Sequence, residues 1–110
     1  MSKEKHTQKA ILDYLRLQKV LIWKSNTTGI KKPDGHWIPS QNKGCPDLIG
    51  ILPGGSGRML AIEVKSGKGH ASDLQLEFIT KINQAGGVAF VARSIEDVMS
   101  VFRDVGVVRR

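Results

Sequence analysis

Ile11, Leu12, Leu15 and Leu17 stand among polar residues at near-helical spacing, with no Gly or Pro between Lys5 and about Lys19. That pattern predicts an amphipathic helix. Val20-Leu21-Ile22-Trp23 is a short apolar run and predicts a strand. The chain then turns polar from residue 24 to 43, with Lys24, Asn26, Thr27, Lys31, Lys32 and Lys43. This reads as a long loop holding one short strand at His36-Trp37-Ile38. A loop of about 20 residues is uncommon in a compact domain and is often functional.

A hairpin follows. Asp47–Leu52 and Arg58–Val64 flank Pro53-Gly54-Gly55-Ser56-Gly57, a linker rich in residues that tolerate positive φ. Both strands are apolar on both faces, so other elements should cover both. Leu74, Phe78 and Ile82 recur every four residues and predict a second helix over Ser72–Gln84, ended by Gly86-Gly87. Val88–Ala92 reads as a buried strand. Ser94 then caps a third helix whose Ile95, Val98, Met99 and Phe102 form one apolar stripe. The order α, β, β, β, α, β, α predicts an α/β fold, a mixed sheet flanked by helices.

The 110 residues, with 40% hydrophobic and 25% charged, suit one small globular domain spanning 1–110. No apolar run approaches the ~20 residues of a membrane span, and the polar first residues do not resemble a signal peptide. One cysteine, Cys45, permits no intrachain disulfide, which fits a reducing cytoplasm. One Cys and three scattered His cannot build a structural zinc site. The net charge of +7 is lopsided: residues 1–43 hold nine basic and three acidic side chains, while residues 72–110 hold five of each. A basic half on a neutral body suits a polyanion such as nucleic acid, although solubility charge fits the composition equally well.

The candidate chemistry comes from the hairpin register. If the loop closes symmetrically about Gly55, Ile49 faces Ala61 and Asp47 faces Glu63. Directly opposed side chains have Cβ atoms ~5 Å apart, where two unpaired carboxylates repel. A hard divalent cation relieves that repulsion. Side chains alternate along a strand, so Lys65 shares the face of Glu63. Two acids holding a metal can activate a water and polarise a phosphoryl oxygen, with an ammonium beside them to orient the attack or offset developing charge. Glu63-Val64-Lys65 alone fits an ordinary surface ion pair as well. Gly44-Cys45-Pro46-Asp47 before the first strand, the hairpin and the following helix shift the balance.

In that order the chain resembles the PD-(D/E)XK nuclease superfamily, and within it the stand-alone VRR-NUC domain of viruses and bacteria. The resemblance rests on Glu4…Gln8-Lys9-Ala10-Ile11, on Asn26-Thr27 after Trp23, on Gly44-Cys45-Pro46-Asp47-Leu48 and on Ala61-Ile62-Glu63-Val64-Lys65. Ser72…Gln75 and Ala85-Gly86-Gly87-Val88 complete it. It implies a restriction-endonuclease-like αβββαβ core. It implies that Asp47, Glu63 and the Val64 carbonyl hold Mg²⁺ or Mn²⁺, that Lys65 is the catalytic lysine and that Gln75 assists. Glu4 would reach the metal or its waters, with Gln8 one turn further along the same face. The implied activity is metal-dependent hydrolysis of phosphodiesters in branched or flapped DNA, such as a Holliday junction, by a homodimer in the cytoplasm of a bacterium or a phage's host.

The basic 24–43 segment, with Lys68 beyond Lys65, is the expected grip on the DNA backbone; phosphate contacts of this kind carry affinity without sequence information. No recognition helix is evident, so shape-directed cleavage is expected. His6, His36 and His70 lack metal-ligand spacing and are read as facing solvent or DNA. Trp23 reads as packing. Trp37 would either stack on a base or anchor the loop. Neither Gly54-Gly55-Ser56-Gly57 nor Ser66-Gly67-Lys68-Gly69 has the phosphate-loop pattern. Two alternatives stay open: a nuclease acting on plain duplex, and a DNA-binding module without catalysis.

Overall fold

A computed structural model of the chain describes residues 2–25, 30–38 and 43–107. Its elements are α1 (Lys3–Leu17), β1 (Ile22–Lys24), β2 (Ile30–Lys31), β3 (Trp37–Ile38), β4 (Leu48–Ile51), β5 (Met59–Val64), α2 (Asp73–Gln84), β6 (Val88–Ala92) and α3 (Ile95–Asp104). The main sheet has the order β1-β4-β5-β6. β1 and β5 each run antiparallel to β4, and β6 runs parallel to β5, with α2 as the crossover. The α/β class and the mixed sheet with helices on its faces are therefore as the sequence pattern predicts.

Alternation along the strands separates two cores. Leu48, Leu60, Ile62, Val64, Val88 and Ala92 point to one face, where Ile11, Leu12 and Leu15 of α1 and Val98 and Phe102 of α3 cover them. Ala61 and Ala89 point to the other, under Ile79 and Ile82 of α2. Each helix begins at a serine cap: Ser2, Ser72 and Ser94 accept from backbone N–H groups of their first turns. α1 ends without a glycine. Lys19 takes the left-handed conformation, φ 63°, so that Val20 N–H reaches the Leu15 carbonyl at 3.0 Å.

Five expectations need correction. Leu17 is not part of the buried stripe: it is 80% exposed, because it sits about 200° around the helix from Leu15. Leu74 is also exposed; it lies over Gly44 rather than over the sheet, and Ile79 with Ile82 forms the buried stripe of α2. Coverage of the hairpin is uneven, since α2 alone serves the second face and leaves Ile51, Met59 and the neighbouring Trp23 partly open. Trp23 is thus not a core side chain. The expected loop contains a second hairpin, β2 paired with β3, closed through Pro33-Asp34-Gly35. There Lys32 N–H donates to His36 O at 2.7 Å and His36 N–H to the Asp34 carboxylate at 3.0 Å. Two-residue strands are too short to show a hydrophobic period.

No helix among the described residues is long and apolar enough to cross a membrane.

Candidate active site

The register expected from the loop symmetry is the observed one: Ile51 pairs with Met59, Ile49 with Ala61 and Leu48 with Ile62. Carried one step beyond the last paired residues, that register sets Asp47 opposite Glu63. Backbone detail brings Asp47 there. Gly44 has φ +85°, and a Cβ on it would stand 2.9 Å from the Leu74 carbonyl oxygen, so only glycine passes beneath the start of α2. Ser25, just past β1, then fixes the following peptides. Its N–H donates to the Asp47 carbonyl at 2.8 Å and its hydroxyl to the Pro46 carbonyl.

Pro46 has a second consequence. Leu52 N–H donates to the Arg58 carbonyl at 2.8 Å, so the even-numbered β4 positions are the hydrogen-bonding pairs of the ladder. Carried to the end of the hairpin, that alternation sets Val64 opposite Pro46, which has no N–H to donate. The Val64 N–H, whose ladder partner would be the Pro46 carbonyl that the Ser25 hydroxyl occupies, donates to Asp47 Oδ2 at 3.0 Å. On the other side Lys65 N–H binds the Ala92 carbonyl, so the peptide groups of Val64 itself face β4. Its carbonyl thus faces β4 with no cross-strand N–H from Pro46 to meet it.

Glu63 is the one buried charged residue among those described, at 1% exposure. Its Oε2 accepts from Gln75 Nε2 at 3.1 Å and lies 3.3 Å from Lys65 Nζ. Its Oε1 is buried with no hydrogen-bond partner. Burial, and then the Asp47 carboxylate, push its pKa up to about 7, against the pull of Lys65. Gln75 is held in turn by the α2 cap. Ser72 N–H donates to Gln75 Oε1 at 2.8 Å and Gln75 N–H donates to Ser72 Oγ at 3.1 Å, a reciprocal capping box. One carboxamide therefore caps the helix with its oxygen and anchors Glu63 with its nitrogen.

The donor set fits a hard divalent cation. Two carboxylates and a carbonyl are oxygen ligands of the kind Mg²⁺ and Mn²⁺ take. A buried carboxylate oxygen with nothing bonded to it is costly unless something charged meets it.

Among the described residues, none of the other expected site residues bonds to the side chains of Asp47, Glu63 or Lys65. Glu4, half-buried on α1, is not gathered with the two acids, for no three Asp, Glu, His or Cys side chains among the described residues are placed to hold one metal ion together. Gln8 is half-buried one turn further on. Lys24, Lys31, Lys32, Lys43 and Lys68 are exposed. Asn26 and Thr27 lie outside the described residues. Trp37, on the second hairpin, is 65% exposed. His36 pairs with Asp34 at 3.2 Å. Cys45 is half-buried, and burial raises its thiol pKa. Sequence reasoning missed Ser25, whose role depends on a contact 21 residues away that no local pattern carries. It also missed the double duty of Gln75, although Ser72-x-x-Gln75 is a visible capping signature.

The family model of the VRR-NUC domain matches residues 3–96, and the chain belongs to that family, a nuclease-type DNA-processing module. One solved VRR_NUC domain protein is 27% identical and superposes with a TM-score of 0.64, over 94% of this chain and 88% of that one. A solved VRR_NUC domain is similar in fold at 24% identity and a TM-score of 0.66, covering 94% and 97%. The chain matches no curated protein.

Proposed function

We propose that the chain is a divalent-metal-dependent endonuclease of the PD-(D/E)XK type that hydrolyses phosphodiester bonds in branched or flapped DNA. The observation that carries the reading is Glu63: a buried carboxylate with one oxygen unsatisfied, opposite Asp47, with Lys65 Nζ 3.3 Å from its other oxygen. Asp47, Glu63 and the Val64 carbonyl would hold Mg²⁺ or Mn²⁺. Such an ion lowers the pKa of a water and polarises a phosphoryl oxygen.

The side chains divide the remaining work. Glu63 is fixed in place by Gln75 and cannot swing away from Asp47 without breaking that bond. Lys65 brings positive charge to the place where charge develops on the phosphate, and its short reach to Glu63 keeps it there. The exposed lysines of the 24–43 segment and Lys68 would neutralise backbone phosphates. Branched substrate, homodimerisation and a cytoplasmic setting are the finer parts of the proposal, and sedimentation tests the second.

The deciding experiment mixes purified protein with a four-way junction, a flap and a plain duplex, each with Mg²⁺, Mn²⁺ or EDTA. The proposal expects metal-dependent cuts, strongest on branched DNA, lost in Lys65→Ala while binding persists. Equal cutting of plain duplex removes the substrate preference. Binding without cleavage under every metal makes the protein a DNA-binding module, and cleavage unchanged by Asp47→Ala overturns the site.

A further inference from the structure

A second concave site opens beside Lys65. Lys3, His6 and Thr7 of α1 form one wall of a cavity of about 480 Å³, and Ser66, Gly67 and Arg93 form the other. Three cation-forming side chains and two hydroxyls surround it, and no carboxylate lines it. None of the three forms an ion pair among the described residues. Of the amides at the start of α1, those of Lys5 and His6 are already taken by Ser2. The Asp97 carboxylate, which does not line the cavity, accepts from the backbone N–H of Arg93 at 2.8 Å.

The cavity is tied to the site by covalent structure. Ser66 and Gly67 are the two residues after Lys65. Arg93 follows Ala92, whose carbonyl accepts from Lys65 N–H at 3.1 Å. Arg93 Nη1 donates to the Gly67 carbonyl at 3.2 Å, which pins one edge of the guanidinium and joins the two strand exits. The remaining donors of a planar guanidinium stay available for a bidentate anion contact. A basic cavity joined so rigidly to Lys65 suits an anion at a fixed offset from the scissile bond.

We propose that the cavity of Lys3, His6, Ser66 and Arg93 binds a phosphate group of the DNA strand being cut, and so sets where along the strand the cut falls. This rests on the nuclease reading, and it adds a contact that the lysines of residues 24–43 do not supply. Those lysines lie at exposed strand-end, hairpin or loop positions, whereas this group is concave and anchored to the strand exit at Lys65.

The test measures DNA binding in EDTA by fluorescence anisotropy, so that it does not depend on cleavage. A series of oligonucleotides carries one neutral methylphosphonate, moved a nucleotide at a time along the strand. Wild-type protein is expected to lose about tenfold in affinity at one position, the worth of one charge-assisted contact. Lys3→Ala and Arg93→Ala should bind unmodified DNA about as weakly, lower the salt slope by about one, and show no further loss at that position. Arg93→Lys should restore part of the affinity. Lys3→Ala, exposed at the start of α1, guards against a folding artefact from the Arg93–Gly67 contact. A comparison of 5′-phosphorylated and 5′-hydroxyl ends assigns the contact to a terminal or an internal phosphate. If the methylphosphonate profile is the same in wild type and both variants, the pocket assignment is wrong even though DNA binds. If wild type binds no DNA at all, the nuclease reading fails with it.

Discussion

The two faces of the main sheet are built from alternate residues of the same strands, yet they differ in kind. On the α1/α3 face the strands present Leu48, Leu60, Ile62 and Val64, and two helices seal them. On the α2 face the strand centres are small, Ala61 and Ala89, and one helix covers them while Ile51, Met59 and Trp23 stay partly open. Small residues let α2 lie close to β5, which brings Gln75 within hydrogen-bond reach of Glu63. The sealed face supplies stability; the open face spends some of it on a buried, half-satisfied carboxylate. That division is what a site needs: reacting groups on the exposed side of a scaffold held rigid from behind.

The comparison can be broken from either side, and the sealed face should give the largest stability effect. Ile62→Ala should cost about 4 kcal/mol, the range for emptying a fully buried aliphatic site, while the folded fraction still cleaves DNA. Chemical denaturation with an activity assay on the folded protein checks both halves. A loss of under about 1 kcal/mol would mean that this face does not carry the fold.

The open face should show itself next, through pH. An unperturbed glutamate titrates near 4.5, while Glu63 in the metal-free fold is pushed up to about 7. Between those values the folded protein keeps a proton that the unfolded chain has released. Stability of the metal-free protein should therefore fall as pH rises through that window, by about 3 kcal/mol in all. Thermal melts in EDTA from pH 4 to 8 measure it. Mg²⁺ or Mn²⁺ should raise the melting temperature more at pH 8 than at pH 5, and Glu63→Gln should flatten the profile.

Gln75→Ala should have the smallest stability effect, about 1 kcal/mol for the lost helix cap. Its effect on cleavage should be out of proportion, because the same side chain orients Glu63. Matched losses in stability and activity would reduce Gln75 to a cap.

Much of this was legible in the sequence because the informative features are local or symmetric. Strand alternation and a five-residue glycine-rich loop suffice to set Asp47 against Glu63, and Ser94 marks the start of α3. Other features depend on partners distant along the chain. Leu17 falls off the buried stripe by helical spacing itself, whereas Leu74 keeps the spacing and is still exposed, since spacing does not say which neighbour an apolar residue meets. The β2–β3 hairpin has strands too short for a period. Glu4 was joined to the acids by resemblance alone, and the fold does not gather it with them. The grip of Ser25 on Pro46 and Asp47, and the convergence of Lys3 and His6 with Arg93, exist only once the sheet has formed.

The central claim is that Asp47 and Glu63 together hold a divalent cation. Calorimetric titration of Mn²⁺ into the wild-type protein, Asp47→Ala, Glu63→Gln and Lys65→Ala tests it most directly. The account predicts binding by wild type and by Lys65→Ala, and its loss in both acid variants. Unchanged Mn²⁺ affinity in Asp47→Ala or Glu63→Gln would contradict it.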